Sequence, residues 1–93
     1  MENLEFEWDP EKARSNRRKH GVGFPEATTV FRDRLARMQN ERVVDGELRE
    51  VMVGASEVGR LLLVVLVDRG RIRVISARRA TPFEQYAYEE AGA

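Results

Sequence analysis

The first apolar positions of the chain alternate with acidic ones. Leu4, Phe6 and Trp8 are separated by single glutamates, and this period of two is typical of a half-buried strand whose apolar side chains face inward. Four later segments are also apolar or alternating, with turn sequences between them. The pattern predicts strands at Leu4 to Trp8, Leu35 to Asn40, Glu50 to Gly54, Leu61 to Val67 and Arg71 to Ala77. The uninterrupted apolar run of the fourth segment predicts a central strand covered on both faces.

Two proline motifs and one apolar stripe predict the helices. Asp9-Pro10 and Thr81-Pro82 each place a capping side chain before a proline at the first helical position. They predict a first helix from Pro10 to about His20 and a last helix that reaches about Glu90. Between them, the apolar stripe from Phe24 to Phe31 predicts a short second helix. The order β-α-α-β-β-β-β-α is an antiparallel sheet with two N-terminal helices and one C-terminal helix, in the α+β class.

The length and composition predict one small domain. A chain of 93 residues can enclose one hydrophobic core but not two, so we expect a single domain over residues 1–93. No cysteine is present, which excludes a disulfide framework and a thiolate metal site. The amino terminus has no apolar run that would form a secretory signal, and the run from Leu61 to Val67 is too short to span a bilayer. We therefore expect a soluble, cytoplasmic protein that does not enter a membrane.

Positive and negative charges are equal in number but separated along the chain. The 16 lysines and arginines balance 16 acids, so bulk positive charge is not available to bind nucleic acid. The cations are concentrated in two segments, Arg14 to His20 and Arg69 to Arg79, and the second contains no acid. If the fold brings these segments together, they form one anion-binding patch.

The end of the first predicted helix is one candidate site. Lys19 and His20 lie in its last turn, where the helix dipole favours a protonated histidine and the neighbouring cations oppose it. Histidine can give or take a proton near neutral pH. The alternative interpretation is that His20 and Gly21 only end the helix and that the arginines before them form a solvated face.

The end of the last predicted strand is the second candidate site. Arg73 projects from this strand, and Arg78 and Arg79 lie where the strand passes into a helix N-terminus. Planar guanidinium groups can hold a phosphate with paired hydrogen bonds, and a helix start adds backbone N–H donors. The alternative is a basic edge strand that its charge protects against aggregation.

The residue types favour metal-independent chemistry on RNA. A two-metal nuclease needs clustered carboxylates and a zinc site needs several His or Cys ligands, whereas the chain has one histidine. Cleavage through the 2′-hydroxyl needs a base, cations on the phosphate and an acid for the leaving oxygen, which His, Lys and Arg can supply. DNA lacks the 2′-hydroxyl and would not be cut in this way.

Several motifs, taken jointly and in order, carry a resemblance that spans most of the chain. They are Phe6-Glu7-Trp8-Asp9 with Lys12 and Asn16, Lys19-His20-Gly21-Val22 with Phe24, Glu26, Ala27, Val30 and Phe31, and the segment from Arg73 to Thr81. The chain thereby resembles the BrnT toxins of bacterial type II toxin-antitoxin pairs, whose fold is similar to that of the RelE ribonucleases.

The resemblance implies a metal-independent endoribonuclease without a cofactor that cuts RNA to arrest growth. It also implies a BrnA-like antitoxin that neutralises the toxin and through which alone the pair contacts DNA. Carried onto this chain, the resemblance implies Lys19, His20 and Arg78 as catalytic residues and Lys12, Arg73 and Arg79 as RNA-binding residues. Which of Lys19 and His20 is the base and which the acid stays open.

The chain differs from the family pattern in one segment and at one further residue, and the first difference leaves another function open. The segment Pro82 to Tyr88 lacks the Arg and Lys residues that are common in the family's last helix, and Arg34 stands where proline is usual. The first difference favours an alternative function, a non-catalytic module that binds RNA or an antitoxin. A further alternative is a structural subunit whose basic face meets an acidic chain.

Overall fold

The computed structural model describes residues 4–92, and its elements follow the predicted order, which is thereby confirmed. The elements are β1 (Phe6–Glu7), α1 (Pro10–His20), α2 (Phe24–Thr28) with a 3-10 turn after it (Thr29–Arg32), β2 (Arg37–Val44), β3 (Glu47–Ala55), β4 (Leu61–Arg69), β5 (Arg71–Arg79) and α3 (Pro82–Gly92). Residues 1–3 and 93 lie outside the described residues. The predicted domain over residues 1–93 extends into these residues, and so does the amino terminus that is predicted to lack a secretory signal.

The five strands form one sheet in the order β1-β5-β4-β3-β2. Strands β2 to β5 pair antiparallel as predicted, and β4 is the central strand that its apolar run predicted. β1 pairs parallel with β5, with Phe6 opposite Ile72. The sheet is therefore antiparallel except at this edge, where no hairpin joins the two strands and fixes their relative direction.

The β2–β3 hairpin is longer than predicted. Its strands meet at Asp45 and Gly46, whose φ angles are 52° and 76°. Positive φ at both central residues is typical of the tight type I′ turn that an Asp-Gly pair favours. The predicted strand from Leu35 to Asn40 begins too early and ends too soon, because β2 is exposed over nearly its whole length and lacks apolar alternation.

One face of the sheet is covered by α1 and α2 and holds the core. The buried side chains Val22, Phe24, Ala27 and Val30 pack against Leu62, Val64, Val74 and Ala77. At the border of this cluster, the ring centroids of Phe6 and Phe31 lie 5.1 Å apart, and those of Trp8 and Phe24 5.9 Å apart, both edge to face. The prediction that Leu4 also faces inward is wrong, because β1 is only two residues long and Leu4 is 45% exposed.

The other face of the sheet carries α3 at one end. The Tyr88 hydroxyl of this helix donates a hydrogen bond of 2.5 Å to Asp33, and the Arg37 guanidinium donates to the Ala91 carbonyl near its end. Burial and the Asp33 carboxylate raise the pKa of Tyr88 to about 12. The rest of this face is left open as a groove. Among the described residues, no helix has the length and apolar character that crossing a membrane requires.

Candidate functional site

A groove of about 520 Å³ lies on the face of the sheet that α1 and α2 leave uncovered. Side chains alternate between the two faces of a strand, and because Leu62 and Val64 point into the core, Leu63 and Val65 form part of the groove floor. The floor is apolar, whereas the ionisable side chains around it are mainly cationic. These side chains are His20, Arg42, Arg49, Arg78 and Glu84.

A smaller cavity of about 220 Å³ adjoins the groove along α1. It is lined by Lys12, Lys19 and His20 on α1 and by Ser76 on β5, and both His20 and Ser76 also line the groove. The structure therefore brings three predicted site residues of α1 together and places His20 and Arg78 on one groove. The predicted mechanism required this arrangement, and it would have failed if the two residues pointed to opposite faces.

Local capping explains where α1 begins and ends. The Asp9 carboxylate accepts a hydrogen bond of 2.8 Å from the Glu11 N–H at the start of the helix. At the other end, Gly21 adopts a φ of 68° and its N–H donates to the Arg17 carbonyl at 2.9 Å. The helix thus ends directly after His20, so the basic last turn lies at the negative end of the helix dipole.

Asn16 fixes α1 against β5. Its side-chain amide donates to the carbonyls of Val22 at 3.0 Å and Ala77 at 2.8 Å, and its carbonyl accepts from the Ala77 N–H at 3.1 Å. Asn16 is buried, and it engages both backbone groups of a strand residue 61 positions away. This contact sets the position of Lys19 and His20 along β5. In the sequence, Asn16 was recognised only as part of a family motif.

A β-bulge interrupts the pairing of β5 with β4 beside the site. Val74 pairs with Leu66 and Ser76 with Val65, so Ile75 is an extra residue on β5. Bulges re-aim side chains and are enriched next to active sites. Here the extra residue adjoins His20, since Ile75 and Ser76 line both the groove and the smaller cavity.

The bulge also decides which arginine faces the groove. Val74 and Ala77 both lie in the core although they are three residues apart, so the alternation of side chains changes phase between them. Arg78 consequently lines the groove, whereas Arg79 lies opposite Leu62 on the core side of the strand pair. Strict alternation from Val74 would place Arg79 on the groove side and Arg78 on the core side.

Arg78 is held in the groove by Glu84 on α3. Two of its guanidinium nitrogens bond the two carboxylate oxygens, each at 2.9 Å. The Arg78 hydrogen bond lowers the pKa of Glu84, and Glu84 raises that of Arg78. Glu84 also accepts from the Thr81 N–H at 2.8 Å, and its own N–H donates to the Thr81 hydroxyl at 3.2 Å, so the two residues form a capping box that confirms Thr81 as the predicted cap. The ion pair of Arg78 with Glu84 was not predicted, although an acid just inside a helix that follows a basic strand end is a usable signal for it.

Two other predicted site residues lie away from the groove. The Arg73 guanidinium pairs with Glu7 on β1 at 3.2 Å. Arg79 is exposed and lines a separate cavity together with Arg60. Their predicted contacts with RNA stay predictions, and the structure does not bring either residue to His20.

Sequence reasoning missed Arg42 and Arg49, which line the groove from β2 and β3. They are directly opposite each other in the hairpin. A usable signal was present, because in a hairpin with a two-residue turn at Asp45 and Gly46 the residues equally distant from the turn are partners. Underestimating the length of both strands concealed this pairing.

The groove combines groups that can transfer protons with a fixed cation. His20 and Lys19 are exposed on α1, and Arg78 is more than half covered on β5. Such a set can bind an anion and move protons next to it. Within residues 4–92, no group of three His, Asp or Glu side chains is placed to hold a metal ion.

The sequence and the fold of the chain are both similar to those of known proteins. The family model described as "Ribonuclease toxin, BrnT, of type II toxin-antitoxin system" matches residues 8–84. Among solved structures, the chain is similar to the crystal structure of the Brucella abortus ribonuclease toxin BrnT, with a TM-score of 0.65 and 22% identity, covering 85% of this chain and 99% of that chain. At this identity the structural likeness shows the fold alone. A comparison with curated proteins finds no match.

Proposed function

We propose that this chain, which belongs to the BrnT family of ribonuclease toxins of type II toxin-antitoxin systems, is a metal-independent endoribonuclease. Its family confirms the resemblance found in the sequence. We further propose that RNA cleavage in the cytoplasm arrests growth and that a BrnA-like antitoxin neutralises the protein. DNA is then contacted only through the antitoxin, and the toxin itself needs no cofactor.

The observation that carries this proposal is that His20 and Arg78 line one groove, with Lys19 beside His20 in the adjoining cavity. One of Lys19 and His20 takes the proton of the 2′-hydroxyl, and the other protonates the leaving 5′-oxygen. The 2′-oxygen forms a bond to phosphorus while the bond to the 5′-oxygen breaks. The products are a 2′,3′-cyclic phosphate and a 5′-hydroxyl end.

Arg78 stabilises the charge that grows on the phosphate during this reaction. A guanidinium stays protonated throughout the physiological pH range, and the Glu84 pair supports the charged form further. Because Glu84 also restricts its orientation, the cation is in place before the reaction begins, which is how preorganised groups lower a barrier. Glu84 itself is not the proton donor, because its pKa lies below its ordinary value.

RNA on either side of the reacting phosphate is bound by Lys12, Arg73 and Arg79. Lys12 lines the cavity next to His20 and is the nearest of the three to the reacting groups. Arg73 is partly neutralised by Glu7, and Arg79 lines a separate cavity together with Arg60. Each adds a positive charge for phosphates and makes binding dependent on salt.

Inducible expression in bacteria tests the proposal. The wild type is expected to arrest growth, whereas His20→Ala and Arg78→Ala are expected to be harmless at equal expression. Arg34→Ala is a matched control, because Arg34 is exposed and does not line the groove or the cavities described above. Normal growth with the wild type, or undiminished arrest with both site variants, would contradict the proposal.

The reaction itself is tested with purified protein and a short RNA. Cleavage is expected to persist in excess chelator, to yield 2′,3′-cyclic phosphate ends, and to stop when the nucleotide before the cleaved bond carries a 2′-deoxy sugar. Loss of cleavage in chelator that added Mg²⁺ restores would refute metal independence. Cleavage at the 2′-deoxy position would refute attack by the 2′-oxygen.

One observation favours a second candidate function. Both terminal nitrogens of Arg78 are already bound to Glu84, so this arginine has fewer donors free for a phosphate. A protein with Arg78 permanently engaged would bind RNA or an antitoxin without turnover. Purified protein that retains RNA but never shortens it would support this function over the first.

A further inference from the structure

The arginines that line the groove differ in their partners. Arg78 is bound by Glu84, whereas Arg42 and Arg49 have no acidic partner within 4 Å among the residues that the structure describes. Glu47 lies two positions before Arg49 on β3, but its carboxylate is bound by Arg69. The Arg69 hydrogen bond and, more weakly, the charge of Arg49 lower the pKa of Glu47, but neither Arg42 nor Arg49 forms an ion pair of its own within the described residues.

These two cations lie directly opposite each other. Arg42 on β2 pairs with Arg49 on β3, and directly opposed side chains in a hairpin share one face of the sheet. Like charges in this position repel and destabilise a sheet. The stability of the hairpin therefore does not explain why two arginines lie opposite each other.

The next cross-strand pair of acids on the hairpin does not relieve this repulsion. Glu41 and Glu50 form the next cross-strand pair, and alternation directs them to the opposite face of the sheet. The register thus keeps these two glutamates away from the arginines, which lie on the groove side. A shift by one residue would reverse these faces, so the separation depends on the fixed Asp45-Gly46 turn.

One atom of the pair has an unmet hydrogen-bond requirement. Nε of Arg49 is buried and has no hydrogen-bond partner among the described residues. A buried donor without an acceptor is unfavourable, and in a native protein it calls for a missing partner such as a bound group. An anion held between the two guanidinium groups would neutralise the repulsion and let the Arg49 side chain turn so that Nε meets an acceptor.

We infer that Arg42 and Arg49 form a second phosphate-binding site of the groove, which holds a phosphate of the RNA other than the one that is cut. This inference rests on the proposed function. In register, Arg49 lies two strands from Arg78 and four residues along from it, a separation of about 16 Å between backbones. That distance exceeds the spacing of neighbouring phosphates, so the second phosphate is not adjacent to the one that is cut, and the RNA between them lies across the apolar floor.

Binding to an RNA that cannot be cut tests the inference independently of catalysis. The probe is a fluorescent single strand of on the order of eight nucleotides with 2′-O-methyl sugars throughout. Arg42→Gln and Arg49→Gln are each expected to raise its Kd roughly tenfold and to reduce the salt dependence of log Kd by about 0.7. Arg34→Gln removes the same charge at an exposed position outside the groove and is expected to leave both quantities unchanged.

Cleavage of two substrates locates the site. The variants are expected to raise KM for a long RNA much more than KM for a dinucleotide, because a dinucleotide cannot reach both sites. Their melting temperatures should equal or exceed that of the wild type, since each variant removes a repulsion.

Three outcomes would overturn the inference. The first is a Kd of Arg42→Gln and Arg49→Gln equal to that of Arg34→Gln. The second is a rise in KM that is as large for the dinucleotide as for the long RNA. The third is a fall in melting temperature large enough to explain the lost affinity by unfolding. If the wild type does not cut RNA at all, the proposed function fails, while the Kd measurements still decide on the second phosphate site.

Discussion

Replacing Asn16 by leucine tests how α1 is held against β5. Leucine has the branched shape of asparagine but offers no hydrogen bond, so the three bonds to Val22 and Ala77 are lost together. Both partner residues are fully buried, which leaves their two carbonyls and one N–H without water. At about 1–2 kcal/mol for each unsatisfied group, the free energy of unfolding should fall by roughly 3–6 kcal/mol.

A loss of this size is readily measured. For a domain of this length, the melting temperature should fall by more than about 12 °C, and urea denaturation should show a lower midpoint with an unchanged slope. Asn40→Leu is the matched control, since Asn40 is exposed on β2 and should change stability by no more than about 0.5 kcal/mol. Equal stability of the two variants would refute the role given to Asn16.

Asn16→Asp should make the stability of the fold depend on pH in a definite direction. Its carboxyl would face two backbone carbonyls, so the folded state would favour the protonated form and raise its pKa above the unfolded value of about 3.9. Asn16→Asp should therefore come closest to wild-type stability below that pH and lose stability as pH rises through the folded pKa. Unfolding free energies over a pH series check this. A variant that becomes more stable as pH rises, relative to wild type, would contradict the stated hydrogen-bond directions.

Two further predictions concern the ion pairs of the fold. Glu84→Gln replaces one of the two oxygens that accept from Arg78 by an amide donor and removes the negative charge, so kcat for RNA cleavage should fall severalfold and stability by about 1 kcal/mol. Glu90→Gln, exposed on the same helix, is the control, and equal kinetics of the two would argue against positioning by Glu84. The Arg60 hydrogen bond holds the pKa of Glu26 below its ordinary value, so this carboxylate stabilises the fold above about pH 4.3 and the contribution is lost as pH falls through the folded pKa. Glu26→Gln should flatten the acid side of the stability curve, and an unchanged acid slope would count against this assignment.

The helices and the central strand were predictable because their signals are local. Such signals lie within a few residues of the helix ends: Asp9 and Thr81 cap the starts of α1 and α3, and Gly21 ends α1. The apolar run of β4 can be recognised without knowledge of its partner strands. β2 was placed poorly because both of its faces are largely exposed, so no apolar period marks its limits. The parallel pairing of β1 with β5 joins residues 66 apart and has no local signature.

The site was predictable in its residue types and less so in its geometry. The positions of Lys19 and His20 followed from the helix end, but their approach to β5 depends on the Asn16 contact, which no spacing in the sequence indicates. The face occupied by Arg78 depends on the extra residue Ile75, and alternation alone assigns that face to Arg79. The Arg42 and Arg49 pair was accessible from the Asp-Gly turn once both strands were given their full length.

The side chain of Asn16 acts on β5 as a peptide group of a neighbouring strand would. Within the described residues, β1 pairs with β5 at Ile72 and Arg73 only, and Asn16 occupies the hydrogen-bonding groups of Ala77 beyond them. This edge of the sheet therefore presents no continuous row of free donors and acceptors. At the opposite edge β2 offers such a row over Arg37–Val44 in the described structure, and its arginines and glutamate discourage self-association through that edge. A strand added from another chain would accordingly have to join at β2, on the side of the molecule away from His20.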